Sequence, residues 1–551
     1  LKTSASSGLL RGAFILGFAA ILSKLIGTLQ KIPLQNIGGD SVFGIYTTVY
    51  SFYTFLAVFV TTALPVAISK YVAERTAGAD EKGVRTVLWA GMLTACGAGL
   101  LMALGMWFCA PLLSDWIGSE HTLLPIRAVS LALLVVPPMA ALRGFFQGLQ
   151  QALPTAVSQI SEQVLRVGLM VALLLTLNAT GASDERIAAG AALGSLGGGL
   201  AGLSVMLLFW RRYNRIRKAK KFGFADEVRA SAEAVSGPQV RTVGVWVKRL
   251  LIYALPVFVG SLSQPLLGLV DTLTVPRLLQ DAGWNDLASM EQFGVYNRGI
   301  PLVQIVFMLA TSLSMLLLPA IADAKARGEE ERIAVSTSVA LRWLWMLGLT
   351  AAAGLAVLAA PVNIMLYADT EGTTALRWTA FSAVGGTLGI VSASLLQGMG
   401  AVRAPALFLL VSALLKLLLN LLLIPHMGIS GAALAGAVSY LAAALFGVLL
   451  LARLTGLRGR VSRTILQPLL LAGLTALAAY AASLLCSGLL SAAGLSGRIG
   501  ALLTSVTGVA AGVIAFAVAL VYTRAVSDAE LSALPGGAKL TALARRMRRE
   551  V

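Results

Sequence analysis

Two lysines stand where a lipid-facing helix has no use for them. The run from Leu9 to Asp40, LLRGAFILGFAAILSKLIGTLQKIPLQNIGGD, is apolar and long enough to cross a bilayer, and it carries Lys24 and Lys31. Seven residues apart, they return to within about 20° of one helix face, about 10 Å apart along the axis. Thr28 and Gln35 extend the same stripe. In one reading both ammonium groups snorkel along their apolar stems to the two headgroup layers. Lys24, however, lies near the middle of the segment, where a charge is costly unless it faces protein or water. The stripe is therefore read as the wall of a positively charged, hydrated cavity. Gly27, Pro33 and the Gly38-Gly39 pair weaken the helix backbone, so the segment is expected to bend.

Other charges fall inside apolar segments. Arg143 and Glu162 flank the tight turn near Gln151-Pro154 at similar distances, which puts them at one depth and predicts a salt bridge. Arg166 follows Glu162 by four residues, on the same helix face. One carboxylate facing two guanidinium groups leaves a cation available to an anion. Shifted by 250 residues, the matching positions are Ala393, Ser412 and Lys416, so Lys416 keeps the charge of Arg166 without its local partner. Asp271 is the candidate counter-charge, and the rival reading makes Asp271 and Asn420 part of a cation or proton site. Arg298 precedes Pro301 and reads as a cation beside a helix weak point or as an anchor at the outer headgroups. Tyr46, Tyr50 and Tyr53 have helical spacing, which fits an interfacial aromatic belt or a surface for stacking on a sugar. His121 and His426 are isolated, no Walker sequence is present, and no cofactor, metal or catalytic group is expected.

The elements that position these charges are membrane helices. Hydrophobic residues are 57% of the 551-residue chain, charged residues only 12%, and the mean hydropathy is +0.83. A soluble protein of this size does not have that balance. The net charge of +18 is not a nucleic-acid signature, because Lys and Arg collect at the ends of apolar runs. Cys96, Cys109 and Cys486 lie in or beside such runs and imply no disulfide framework. The first run is read as a span, not as a cleaved leader.

Fourteen apolar windows are predicted as spans, near residues 9–36, 42–69, 86–112, 123–148, 154–178, 187–210, 250–279, 293–319, 335–366, 376–399, 404–425, 431–452, 464–488 and 499–523. Alternate connections are rich in Lys and Arg, which places them and both termini in the cytoplasm. Phe43-Gly44-Ile45-Tyr46 recurs as Phe293-Gly294-Val295-Tyr296, and Gln147-Gly148 as Gln397-Gly398. Six spans thus repeat as six in the same orientation, predicting two lobes related by a pseudo-two-fold axis along the membrane normal, a transporter architecture. The fold class is an all-α polytopic membrane protein: an N-lobe (1–212), a basic linker (213–249), a C-lobe (250–453), two further helices (464–523) and a basic tail (524–551). The basic segment from Arg211 to Lys221 is expected to lie against anionic lipid or a partner protein.

The stretch Leu142-Arg143-Gly144-Phe145-Phe146-Gln147-Gly148, with Pro154-Thr155-Ala156-Val157-Ser158-Gln159, Glu162-Gln163 and Arg166, resembles the MurJ-type lipid II flippases and stage V sporulation protein B-like polysaccharide transporters of Gram-positive bacteria. Leu64-Pro65-Val66-Ala67-Ile68-Ser69-Lys70 agrees. The resemblance implies a V-shaped pair of six-helix lobes of the multidrug/oligosaccharidyl-lipid/polysaccharide exporter superfamily in a bacterial plasma membrane. It also implies movement of an undecaprenyl-pyrophosphate-linked sugar, lipid II in the first reading, to the outer leaflet by alternating access. It places Lys24, Lys31 and Arg298 in the central cavity; Arg143, Arg166 and Gln35, read from their own positions, are expected as further substrate contacts. Asp40 resembles an acidic position that gates the outer side, and the backbone weak points Gly27 and Pro33 are expected to take part in that gating. The C-terminal helices would form a groove for the isoprenoid, and Lys416 would stand where some relatives have a sodium site. Membrane lipids, and cell-wall synthesis proteins, are the expected partners. The competing readings are a flippase for another lipid-linked glycan, a multidrug exporter, a membrane scaffold for cell-wall enzymes and an integral glycosyltransferase.

Overall fold

The computed structural model describes residues 2–223, 243–401, 403–456, 466–523 and 525–526, with side chains described from residue 16 onward and not for 218–223 or 263. The tail apart from residues 525–526, and 224–242 of the linker, lie outside the described residues. Among those described there is no strand. The helices are α1 (Lys2–Leu29), α2 (Lys31–Val58), α3 (Leu64–Ala77), α4 (Glu81–Phe108), α5 (Ala110–Ile117), α6 (Leu123–Ser130), α7 (Ala132–Gly148), α8 (Ala152–Ala179) and α9 (Asp184–Gly223). They continue as α10 (Val243–Ser261), α11 (Ser263–Asp281), α12 (Asp286–Asn297), α13 (Ile300–Ala326), α14 (Glu330–Val357), α15 (Ala359–Tyr367) and α16 (Thr373–Gly398). The last are α17 (Arg403–Met427), α18 (Ile429–Thr455), α19 (Gln467–Ala492) and α20 (Gly497–Tyr522).

Thirteen stretches among the described residues are long and apolar enough to cross a membrane. The count differs from fourteen because the windows predicted at 9–36 and 42–69 run into a single apolar stretch, Leu16–Ala77. Its 62 residues would make a helix of about 90 Å, three times the hydrocarbon thickness, so its breaks matter. The decisive break is Gly39, with φ 81° and ψ 175°, a backbone conformation open to glycine alone. Around it the freed groups find partners: Asn178 Nδ2 donates to the Ile37 carbonyl at 3.3 Å, Gln35 Nε2 donates to Asp40 Oδ2 at 3.1 Å, and Ser41 Oγ donates to the Asp184 carboxylate. Gln30, between α1 and α2, keeps helical dihedrals. Pro33 sits in the first turn of α2, where its missing N–H costs little. Gly27 provides close approach to α8: a Cβ there would lie 3.2 Å from Gln163 Oε1.

The chain divides into two compact units, Leu1–Gly294 and Val295–Val551. In the first, α8 and α9 form the most extensive helix pair, α1 packs along α8, and α3 and α4 pack on α7. The unit also includes α10, seated on α3 and α4, and α11, seated on α2 and α5. At the C-terminal end of α11, Arg277 donates to the carbonyls of Asp115 and Trp116 and Gln280 donates to that of Gly118, taking up the orphan carbonyls where α5 ends. Gly44 and Gly294, the glycines of the repeated tetrapeptide, face each other reciprocally: a Cβ on Gly44 would strike the Met290 carbonyl and one on Gly294 the Asp40 carbonyl. In the second unit α16 packs on α13, α14 and α18, α17 packs on α18, and α19 and α20 pair and lean on α14 and α15.

Candidate functional site

Within the first unit the hairpin of α7 and α8 sets the polar centre. Arg143 Nη2 lies 2.8 Å from Glu162 Oε2, and Arg143 also donates through Nε and Nη2 to Ser158 Oγ at 3.1 and 2.8 Å. Ser158 Oγ in turn donates to the Gly202 carbonyl at 2.9 Å. Arg143 therefore ties α7, α8 and α9 together through neighbours that already hold its guanidinium. Glycines of α9 make this possible: a Cβ on Gly198 would lie 2.6 Å from Arg166 Cβ and 2.7 Å from the Glu162 carbonyl.

Arg166, one turn further, points elsewhere. Its Nη2 donates to the Tyr50 hydroxyl at 2.7 Å and its guanidinium carbon lies 5.0 Å from the Tyr50 ring centre. Tyr46 stacks on Tyr50 at 5.4 Å with 11° between planes, and Tyr53 follows at 5.4 Å. Tyr46 and Tyr53 are 2% and 7% exposed, so the three rings form an internal ladder rather than a belt at the headgroups. The sequence showed that the three share a face; it did not show that the face meets α8. Arg166 makes no ion pair among the described residues, and its Nε is buried without a partner.

Lys31 is half-buried and lies in the field of the Arg166 guanidinium. Lys24, a stripe-mate across helical Gln30, is exposed. Neither ammonium has a hydrogen-bond or ionic partner among the described residues. Around them the oxygens Gln30 Oε1, Gln35 Oε1, Gln159 Oε1, Gln163 Oε1 and Ser23 Oγ are buried without protein partners. Buried polar atoms are normally satisfied, so such a concentration along α1, α2 and α8 marks a region that takes water or a polar ligand. Lys31 has a further cation, Arg166, beside it in that region.

The second unit treats its cations differently. Arg298, 1% exposed, makes a bidentate pair with Asp369, Nη1 to Oδ1 at 2.6 Å and Nη2 to Oδ2 at 3.0 Å. Tyr367 donates its hydroxyl to the Arg298 carbonyl at 2.9 Å, and Asn363 Nδ2 donates to the Glu371 carbonyl at 2.6 Å, closing the loop over it. Partial burial alone would raise the Asp369 carboxyl, but its bonds from Arg298 and the Glu371 N–H, with the Arg298 charge, hold it below the usual carboxylate range. This geometry is that of an internal ion pair, distinct from both earlier readings of Arg298, an open cavity cation and an anchor at the headgroups. Lys416 and Asn420 on α17 are 3% and 0% exposed, and a Cβ on Gly436 would have Lys416 Nζ at 3.7 Å and the Tyr296 hydroxyl at 3.9 Å. Asp271, 3% exposed, is on α11 of the first unit.

Comparison with known proteins identifies the family. The model of the polysaccharide biosynthesis protein family matches residues 9–325, and the MatE family model matches 256–422. This chain belongs to the polysaccharide biosynthesis protein family. The uncharacterized membrane protein YabM of Bacillus subtilis (strain 168) is 33% identical over 97% of this chain and 96% of its own length. Lipid II flippase MurJ of the same organism is 29% identical over 84% of this chain and 86% of its own. Among solved structures, lipid II flippase MurJ in an inward closed conformation aligns with a TM-score of 0.62 at 12% identity, over 93% of this chain and 99% of that one. The fold is thus that of a polytopic member of the multidrug/oligosaccharidyl-lipid/polysaccharide exporter superfamily.

Proposed function

We propose that this family member is a flippase for a lipid-linked glycan, and that its substrate is the undecaprenyl-pyrophosphate-linked peptidoglycan precursor, lipid II, carried from the inner to the outer leaflet by alternating access. The observation that carries this reading is the pair Lys24 and Lys31, membrane-helix cations without counter-charges, beside Arg166 in a region of unsatisfied buried polar groups. A pyrophosphate requires cations, a sugar requires a hydrated polar wall, and an isoprenoid can remain in lipid. The similarity to MurJ of Bacillus subtilis supports the substrate class. A cationic drug would favour acidic walls, which argues against a multidrug exporter.

In this reading the protein sits in a bacterial plasma membrane with both termini and the Lys/Arg-rich connections cytoplasmic, Asp40 and the Gly39 break lie at the outer side, and cell-wall synthesis proteins are candidate neighbours. The polar work is transport rather than bond chemistry.

The test is complementation of a bacterium depleted of its lipid II flippase, with the wild-type chain beside Lys24→Ala/Lys31→Ala at equal expression. Rescue by wild type alone is the expected result. Rescue by both would make the lysines snorkelling anchors, and rescue by neither, with the protein inserted, would move the substrate to another lipid-linked glycan such as a capsule, teichoic-acid or sporulation precursor.

A further inference from the structure

At the Lys/Arg-rich end of the first unit, α3 and α10 meet through three aromatic rings. Tyr71 packs edge-on against Trp246 at 5.3 Å and against Tyr253 at 5.9 Å. Cations cover these rings: Lys70 Nζ lies 4.1 Å from the Tyr253 centre and 5.2 Å from that of Tyr71, while Arg75 and Arg249 lie 5.0 and 5.1 Å from Trp246. Trp246 is 1% exposed, so the platform is fixed in the packing of the unit.

Carboxylates do not balance the cluster. Glu74 is 3.9 Å from Lys70 and Asp80 is 3.1 Å from Arg75, whereas exposed Arg249 and its neighbour Lys248 have no acidic partner among the described residues. Aromatic faces hold the guanidinium and ammonium groups in place without neutralising them. Immediately beyond the cations both helices turn apolar side chains outward: Leu251, Ile252 and Leu255 on α10 are 41%, 63% and 57% exposed, and Val66 on α3 is 42% exposed. Ile252 follows Arg249 by three residues and Leu255 follows Lys248 by seven, so each cation heads an apolar stripe.

We propose that this junction is a binding site for a lipid phosphate, separate from the Lys24–Lys31 stripe: the phosphate lies against Lys70, Lys248 and Arg249 and the hydrocarbon along the exposed face of α10. Two sources have this chemistry, an anionic phospholipid headgroup and the pyrophosphate of a polyprenyl lipid. In the first case the site seats a structural lipid; in the second, which rests on the flippase reading, it loads substrate.

The experiment is native mass spectrometry of the purified full-length chain with phosphatidylglycerol and, separately, with undecaprenyl pyrophosphate. The variants are Lys70→Gln/Arg249→Gln, Arg249→Gln alone and the charge-keeping Lys70→Arg/Arg249→Lys. The glutamine variants are expected to weaken one probe about tenfold, in line with the loss of a charged hydrogen bond, while the charge-keeping variant retains it. Loss confined to phosphatidylglycerol assigns a phospholipid, and loss confined to undecaprenyl pyrophosphate assigns a loading site. Unchanged affinity for both probes in Arg249→Gln, which alters only an exposed side chain and so remains foldable, overturns the proposal. Lys24→Ala/Lys31→Ala separates the site from the flippase reading, since phosphatidylglycerol retention is expected to survive in it.

Discussion

Lys31 in the first unit and Arg298 in the second are both cations within apolar segments, and sequence reasoning gave both to the substrate. Their surroundings are opposite. Arg298 is enclosed by both oxygens of Asp369, the Tyr367 ring at 5.1 Å and the Glu371 carbonyl at 3.4 Å. Lys31 has a like charge, Arg166, for its neighbour and buried oxygens without partners around it. A charge inside a membrane helix is therefore not by itself a binding group. The distinguishing feature is whether the fold brings a carboxylate to it.

That contrast can be broken at its stable side first. Asp369→Asn removes the carboxylate paired bidentately with buried Arg298 and is expected to lower thermal stability by about 2 kcal/mol, less than the roughly 3–5 of a fully buried pair because Asp369 is 43% exposed. Thermal denaturation of the detergent-solubilised chain measures it, and an unchanged midpoint would return Arg298 to the list of available cations. Next in size, Tyr50→Phe removes the acceptor of Arg166 Nη2 and is expected to cost about 1.5 kcal/mol by the same measurement, with substrate binding reduced through a misplaced guanidinium. Equal stability with normal binding would mean that the tyrosine ladder is packing only.

Acid gives the smallest effect and sharpens the same point. The Asp369 carboxyl is held below its unfolded range, so the stability it contributes is complete above the unfolded value and lost as pH falls through the lowered folded value. The denaturation midpoint of wild type should fall in that acidic window more steeply than that of Asp369→Asn. Parallel curves would show that the pair contributes nothing to acid sensitivity.

The helices were legible because apolar runs of about 20 residues have no other use in so apolar a chain. The bend was legible as Gly38-Gly39, and the structure resolves it to Gly39, while Gly27 and Pro33 remain in helical backbone. Arg143 and Glu162 were legible as neighbours because a short turn fixes the depth of both arms of a hairpin. Asp369 was not legible as the partner of Arg298, since 71 residues separate them and only the packing of α15 and α16 brings the loop back. The tyrosine ladder and the aromatic platform under Lys70 and Arg249 share that cause: periodicity states which side chains share a face, and tertiary packing decides what the face meets.

The central claim is that Lys24 and Lys31 hold the pyrophosphate of a lipid-linked glycan. Its most direct test is transbilayer movement of lipid II in liposomes containing the purified chain, followed by protection of the headgroup from an external enzyme, for wild type, Lys24→Ala/Lys31→Ala and Lys24→Arg/Lys31→Arg. The account predicts a loss of about tenfold or more in the alanine variant, as expected for missing hydrogen bonds to a charged group, and retention in the arginine variant. Wild-type rates in the alanine variant would contradict it.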